Sequence, residues 1–336
     1  MDVRAGRFDF RSQISVFVLS EIRPSSLLIY VKTILACLLS AALLPACQKI
    51  ENANLPAGNT PVVIDDIGRT VRVPTVVDRV VSLAPSITEL VFAAGAGNKL
   101  VGDTAFCNYP PEAVGIEKVG DTQTPNIERI IALKPQVVFV STASQLETFL
   151  NVLNEQNIAV YVVDVRDLDD IERSIRKIGD LLGSIQTANV NANDLQRRIS
   201  MVRQVMAITD DERPQVFVQI SKEPLFTVGR TSFMTDLIRV AGGESVTSTV
   251  DSAYPKLSKE TAAALEPDVI VLSDSEDNKE PNDVLRSSPA VRNRRVLNIS
   301  ADIISRPGPR LVDALEKIAK FLAQSKPFSE RHQPSK

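Results

Sequence analysis

Two stretches of the chain share one pattern: NIERIIALKPQVVFV at residues 126–140 and SKETAAALEPDVIVL at residues 258–272. Each begins with a residue that commonly caps a helix, continues as a short helical segment, and then has a proline followed by branched apolar residues. A glutamate occupies the third position of both stretches, Glu128 in the first and Glu260 in the second. The repetition predicts two copies of one helix–strand unit.

The repeat extends beyond these stretches. TELVFAAG at residues 88–95 matches TDLIRVAG at residues 235–242 in residue type and spacing. Each follows an apolar run, RVVSLAP at 79–85 and PQVFVQIS at 214–221. Short apolar strands that alternate with helices are typical of parallel sheets covered on both faces. We therefore predict an α/β fold with two Rossmann-like lobes of parallel sheet.

One long segment lies between the two copies. Residues 185–207 contain no glycine or proline and carry apolar residues at three- and four-residue steps, which predicts a single helix about 30 Å long that joins the lobes. The expected boundaries are 61–184 for the N-terminal lobe, 185–210 for the linking helix, 211–325 for the C-terminal lobe and 326–336 for a polar tail.

The N-terminal region has the features of an export signal. An apolar run at residues 33–46 follows Lys32 and ends at Cys47; it is too short to span a bilayer but suits a signal peptide. Leu-Pro-Ala-Cys at 44–47 resembles a bacterial lipobox, in which the cysteine is lipidated. We expect a signal peptide at 1–47, with translation beginning at Val31 because acidic residues precede it, and a flexible tether at 48–60.

Composition argues against several classes of protein. The net charge of −3, from 38 basic and 41 acidic residues, does not favour nucleic-acid binding. The chain has one histidine, His332 in the tail, and no phosphate-binding glycine motif, so histidine-based catalysis is excluded. We predict a binding protein with no catalytic residues, no metal and no cofactor.

Several motifs together resemble the bacterial substrate-binding proteins of ABC importers for cobalamin and iron chelates. They are RVVSLAPSITELVFAAG at 79–95, Tyr-Pro-Pro at 109–111 and KVGDTQTPNIERIIALKPQVVFV at 118–140. The resemblance implies two α/β lobes joined by one long helix, with a ligand cleft between them. It also implies a monomer in the periplasm or cell envelope that serves an ABC permease dimer with its ATPase subunits and contacts the membrane only through its lipid anchor.

The resemblance also assigns site residues. It places ligand contacts in the first lobe at Pro85, Ser86, Phe106, Tyr109 and Thr122, and in the second lobe at Phe226, Gly229, Tyr254, Asp302 and Arg306. It implies that Glu128 and Glu260 dock onto the two permease subunits, although a carboxylate in the first turn of a helix also interacts favourably with the helix dipole.

The chain departs from the cobalamin-binding branch of this family in its aromatic residues. It contains no tryptophan, whereas that branch lines its cleft with tryptophans. Thr122 and Ile303 occupy two positions where tryptophan is expected, and Tyr254 replaces a third.

The residues leave four cargoes or partners open. A corrinoid is the predicted ligand. A ferric siderophore would use the cations Arg230, Arg306 and Arg310, of which Arg310 is expected to cap the last helix, and haem would rely on Tyr109 or Tyr254. The interpretation from a different functional class is that the chain is a tethered signalling or structural protein that binds another protein through the cleft.

The lipobox predicts that Cys47 is acylated and that residues 1–46 are absent from the mature protein. The intact mass of membrane-extracted protein measures this directly, and Cys47→Ala is expected to release the protein from the membrane fraction. An unmodified chain that retains Lys32 would contradict the prediction.

Overall fold

The structure is a computed structural model that describes residues 61–142, 146–207 and 213–324. The predicted signal peptide, Cys47, the tether and the polar tail lie outside these residues. Within them, no helix is both long enough and apolar enough to cross a membrane.

The first lobe contains a four-stranded sheet in the order β4-β3-β5-β6, in which all neighbours are parallel. An antiparallel hairpin precedes it, formed by β1 (Val62–Ile64) and β2 (Thr70–Arg72). The sheet strands are β3 (Val80–Ser82), β4 (Leu100–Gly102), β5 (Val137–Ser141) and β6 (Ala159–Val163). The helices are α1 (Pro85–Ala93), α2 (Ile127–Ala132), α3 (Leu146–Glu155) and α4 (Leu168–Leu182).

The second lobe follows the long helix α5 (Ile185–Val205) and has a four-stranded parallel sheet in the order β10-β9-β7-β8. Its strands are β7 (Gln215–Gln219), β8 (Glu244–Ser245), β9 (Val269–Asp274) and β10 (Val296–Ser300). Its helices are α6 (Phe233–Val240), α7 (Lys259–Ala263), α8 (Pro289–Arg292), α9 (Ala301–Ile304) and α10 (Leu311–Ala323).

The two sheets have the same topology. If β3, β4, β5 and β6 are matched with β7, β8, β9 and β10, the strand order is identical. The register agrees as well, because Val80 pairs with Val137 in one sheet and Val216 pairs with Val269 in the other. The predicted α/β fold with two parallel-sheet lobes is confirmed.

Each sheet is covered on both faces because its strands alternate between two apolar layers. In β5, Val137 and Phe139 belong to one buried cluster, whereas Val138 and Val140 belong to another. The first of these clusters continues from lobe to lobe and includes residues of α1, α4, α5, α6 and α10. The outer layers of the two sheets form separate clusters. The lobes therefore share one apolar core on their inner side.

The linking helix α5 contacts the matching glycine of each lobe. Gly95 and Gly242, at the ends of the two repeats, have positive φ angles of 80° and 90°, a conformation that glycine adopts without steric cost. A β-carbon at Gly95 would lie 2.6 Å from Cγ2 of Thr187, near the beginning of α5, and one at Gly242 would lie 2.5 Å from Cε of Met206, just past its end. The repeated glycine thus permits each lobe to pack closely against one end of α5.

Candidate ligand-binding site

The predicted ligand contacts lie in the segments that follow strands, either in a loop or in the first turn of the next helix. Pro85 and Ser86 come after β3, the loop 103–126 follows β4, and residues 301–310 follow β10. In parallel sheets these loops emerge at the carboxyl edge of the strands, where α/β proteins place their ligands. The topology therefore brings loops from both lobes to the edges at which a cleft can form.

The loop 103–126 is fixed by an ion pair between the half-buried Lys118 and the buried Asp103. Lys118 Nζ donates to Oδ1 of Asp103 at 2.7 Å and to the backbone carbonyls of Cys107 and Ala113 at 3.0 and 2.9 Å. Asp103 is fully buried, and burial raises its pKa to about 6 against the opposing effect of Lys118. Lys118 thus holds three points of the loop together.

This anchored loop presents two aromatic rings to the outside. Phe106 is 60% exposed and Tyr109 is 42% exposed, so one short loop exposes two aromatic rings close together. Between them lies Asn108, whose side chain crosses to the second lobe. Cys107, also between them, is a buried free thiol, and burial raises its pKa.

A hydrogen-bond network joins the lobes at Asn108. Its amide nitrogen donates to Oδ2 of Asp302 at 2.8 Å, and its carbonyl oxygen accepts from Nη1 of Arg306 at 2.8 Å. Nη2 of Arg306 also donates to the carbonyl of Phe106 at 3.2 Å and to Oδ1 of Asp302. The structure therefore brings together four residues, Phe106, Asn108, Asp302 and Arg306, from opposite lobes.

A buried carboxylate lies behind this network. Glu89 in α1 has only 2% of its side chain exposed and accepts two hydrogen bonds from Arg310, from Nε at 3.0 Å and from Nη2 at 2.6 Å. Nη1 of Arg306 lies 3.8 Å from the same carboxylate. Burial raises the pKa of Glu89, and the hydrogen bond and charge of Arg310 oppose that rise.

The expected role of Arg310 as a helix cap is wrong. Arg310 occupies the position before α10, but its side chain makes no capping bond. Instead the guanidinium reaches Glu89, and its carbon lies 4.1 Å from the centre of the Tyr109 ring, within the range of a cation–π contact. A guanidinium has donors only, and the unpaired groups at the beginning of a helix are N–H donors with positive partial charge, so the side chain of Arg310 is not suited to cap α10.

Ser86 takes part in the contact between the lobes through its backbone. Gly308 packs on the first turn of α1, where an added β-carbon would lie 3.4 Å from the carbonyl oxygen of Ser86. Pro85 is the first residue of α1 and is half-buried, whereas Ser86 is buried.

The second-lobe residues Phe226, Gly229 and Tyr254 lie on two neighbouring segments, 226–229 and 253–256, that pair through their backbones. Gly229 N–H donates to the carbonyl of Ala253 at 3.0 Å, and Phe226 forms an antiparallel bridge with Lys256. These bonds hold Tyr254 with 43% of its surface exposed. Gly229 itself is buried, and a β-carbon there would meet a backbone oxygen at 2.2 Å, so it serves the close approach of the two segments.

Two predicted positions do not join the cross-lobe network. Thr122 is half-buried in the turn before α2, and none of the contacts among the described residues links it to Asn108 or Arg306. Ile303 packs against the apolar core. Neither of these positions, where the resemblance led us to expect tryptophan, supplies an aromatic face here.

Sequence reasoning did not identify Glu89 and Asn108. A signal for Glu89 was present, because it is the only charged residue in the segment PSITELVFA that forms α1. The matching position of the second lobe also holds an acid, Asp236. Oδ2 of Asp236 accepts from the N–H of Leu168, the first residue of α4, at 3.3 Å. Each lobe thus directs one carboxylate to the beginning of a helix of the other lobe.

The predicted helix caps that precede Glu128 and Glu260, Asn126 and Ser258, are confirmed. Asn126 accepts from the N–H of Arg129 at 2.9 Å, and Ser258 accepts from the N–H of Thr261 at 3.0 Å. Glu128 and Glu260 are the second residues of α2 and α7, and both are exposed.

Comparison with known proteins gives the class. The sequence model of the family described as periplasmic binding protein matches residues 80–302. The chain is 30% identical over 300 residues to YvrC of Bacillus subtilis (strain 168), an uncharacterized ABC transporter substrate-binding lipoprotein; the match covers 85% of this chain and 95% of that protein.

Two solved structures are also similar. The vitamin B12-binding protein BtuF of Vibrio cholerae aligns with a TM-score of 0.66 and 28% identity, over 74% of this chain and 97% of that one. The haem-binding protein RhuT of Roseiflexus sp. RS-1, in apo form, aligns with a TM-score of 0.64 and 25% identity, over 73% of this chain and 98% of that one.

These findings define a substrate-binding protein of an ABC importer. The chain belongs to the periplasmic binding protein family. Such proteins work with permease and ATPase partners, and the relatives are binding proteins rather than enzymes.

The raised pKa of Asp103 predicts how stability depends on pH. A rise from 3.8 in the unfolded chain to about 6 in the fold means that ionisation of Asp103 destabilises the folded state, by on the order of 3 kcal/mol. The protonated carboxyl of Asp103 therefore stabilises the fold fully below pH 3.8, and this stabilisation is lost as the pH rises through about 6.

Urea unfolding of wild type and Asp103→Asn at several pH values between 4 and 7 measures this effect. We expect wild type to lose stability relative to the variant across that interval. Asp251→Asn removes an exposed carboxylate, 75% exposed, and serves as the control. A constant difference between wild type and Asp103→Asn at all pH values would contradict the prediction.

Proposed function

We propose that the protein captures a corrinoid between its lobes and delivers it to an ABC permease. The observation that carries this proposal is the combination of exposed aromatic rings with a polar network of zero formal charge. Glu89, Asp302, Arg306 and Arg310 contribute two negative and two positive charges, and all four are linked.

The aromatic residues suit a large flat ligand. Phe106 and Tyr109 are exposed on the first lobe and Tyr254 on the second, with Phe226 half-buried beside it. A corrin ring offers an extended apolar surface that such rings can cover from two sides. Thr122 and Ile303 provide no aromatic face. Contact with the corrin ring therefore rests on the four aromatic residues just named, together with Pro85 and Ser86 in the first turn of α1.

The polar residues suit the amides at the edge of a corrin. Asp302 accepts hydrogen bonds and Arg306 donates them, and Asn108 does both. Asp302 keeps 44% of its side chain exposed and Arg306 keeps 13%. A ligand that carries amides can exchange hydrogen bonds with this network without bringing a charge that would have to be desolvated.

Haem is the second candidate within the family, because a haem-binding protein is a structural neighbour at 25% identity. A haem would require a tyrosine as its iron ligand. Burial raises the pKa of Tyr254 above its usual value, which disfavours the tyrosinate form, and the ring of Tyr109 is engaged by Arg310. A polyanionic ferric siderophore or a protein partner has less support, because Arg306 and Arg310 already face carboxylates.

Calorimetric titration of the purified protein with cyanocobalamin tests the proposed cargo. We expect one site per monomer and at least tenfold weaker binding for Tyr109→Ala and for Asp302→Ala. Tyr109→Phe keeps the ring, and Asp313→Ala removes a carboxylate that pairs with Arg198 away from the network; both should bind as wild type does. Absence of heat with cyanocobalamin, together with tight binding of haemin or a ferric siderophore, would contradict the proposal.

We also propose that Glu128 and Glu260 contact the two permease subunits. Both carboxylates are exposed in the first turn of matching helices, and helices that follow strands begin at the carboxyl edge of a parallel sheet, on the side of the ligand loops. Asn126 and Ser258 each accept an N–H of the first turn without these glutamates, although hydrogen bonds from its own N–H and from Ser258 also lower the pKa of Glu260. The lipid anchor at Cys47, with YvrC as a lipoprotein relative, would hold this surface near the membrane.

Charge reversal of both glutamates tests the docking proposal. Glu128→Arg with Glu260→Arg should abolish uptake in cells while ligand affinity and melting temperature stay nearly unchanged, apart from the small loss of helix-dipole stabilisation. Glu155→Arg with Glu276→Arg changes one exposed glutamate in each lobe and should leave uptake intact. Uptake that survives the first double reversal would overturn the docking role.

A further inference from the structure

The four charges of the network differ in their access to a ligand. Asp302 is 44% exposed, and the side chains of Arg306 and Arg310 are 13% and 16% exposed. Glu89 is 2% exposed. The side chains of Arg306 and Arg310 therefore keep some exposed surface, whereas the carboxylate of Glu89 supports their guanidiniums from the buried side.

Glu89 acts on both cations at once. It accepts two hydrogen bonds from Arg310, and Nη1 of Arg306 lies 3.8 Å from its Oε1 atom. At such distances, and away from water, the field of one carboxylate is weakly screened. Without it, the two guanidiniums would share only the partly exposed carboxylate of Asp302, and the network would carry one net positive charge.

We propose that Glu89 is a specificity-determining residue that makes the site select neutral, amide-bearing ligands over carboxylate-bearing ligands of the same shape. This inference rests on the proposed function of the same cleft and adds to it the residue that sets ligand charge. A carboxylate entering the neutral network loses its hydration without gaining a free cation. An amide in its place keeps its hydrogen bonds.

The second lobe offers a matched control. Asp236 occupies the position equivalent to Glu89 and also reaches a helix of the other lobe, at the N–H of Leu168. Its guanidinium partner is Arg239 of its own helix, which is 59% exposed. Asp236→Asn therefore removes a cross-lobe carboxylate without altering the charge of the network around Arg306 and Arg310.

The experiment compares two ligand pairs that differ only in charge. One is cyanocobalamin with its monocarboxylic acid derivatives, and the other is haemin dimethyl ester with haemin. Affinities are measured by absorbance titration for wild type, Glu89→Gln, Arg310→Gln, the double variant and Asp236→Asn. The selectivity is the affinity for the neutral ligand divided by the affinity for the acid.

If the net charge of the network sets the ligand preference, which we call the charge rule, the variants should follow an order of selectivity. Wild type should prefer the amide at least tenfold, Arg310→Gln should prefer it more strongly, and Glu89→Gln should lose or invert the preference. The double variant Glu89→Gln/Arg310→Gln restores zero net charge and should return toward wild type, a rescue that a purely structural role would not produce. Asp236→Asn should leave the selectivity unchanged.

The outcomes separate this inference from the proposed cargo. If only the haem pair binds, the corrinoid proposal fails, and the charge rule is still decided by the selectivity in that pair. If corrinoids bind but Glu89→Gln and Arg310→Gln both keep the wild-type selectivity, the role of Glu89 is overturned and the cargo stands. Binding of none of the four ligands would overturn both. Should Glu89→Gln fail to fold, the selectivity of Arg310→Gln decides the rule.

Discussion

The buried carboxylate of Glu89 constrains the arrangement of the two lobes. A charge with 2% exposure is tolerated in a fold only when it is paired and hydrogen-bonded, and both cationic partners of Glu89 belong to the other lobe. The same contact fixes Arg310 over the ring of Tyr109 and Arg306 against Asn108. One electrostatic requirement in α1 therefore positions the residues that we propose meet a ligand.

The features that the two lobes share form the scaffold, and the features in which they differ form the proposed ligand site. Both lobes use the same strand order, the same glycine against α5 and an acid at the same helix position. In the second lobe the acid, Asp236, meets a backbone N–H at the beginning of α4. In the first lobe the longer Glu89 meets two arginines at the equivalent place. The loop 103–126, anchored by Lys118, then adds the aromatic side of the cleft.

Much of the fold could be predicted from the sequence because it depends on local patterns. Repeated strands, caps at Asn126 and Ser258 and the apolar spacing of residues 185–207 specify elements whose contacts lie nearby in the chain. The site contacts do not have this property. Glu89 and Arg310 are 221 residues apart and Asn108 and Arg306 are 198 apart, so their pairing follows from how the lobes pack. Periodicity carries no information on that, and family resemblance supplied Asp302 and Arg306 but neither Glu89 nor Asn108.

A double-mutant cycle between Glu89 and Arg310 tests the central claim, that a buried ion pair joins the lobes. The free energy of unfolding is measured in urea for Glu89→Gln, Arg310→Gln and the double variant. Loss of either partner leaves the other buried without the counter-charge to which it is hydrogen-bonded, so each single change should cost about 3 kcal/mol. The double change should cost no more than the larger single one, which gives a coupling energy of about 3 kcal/mol or more. Costs that add to within about 0.5 kcal/mol would show that the two side chains act independently, and would contradict the account.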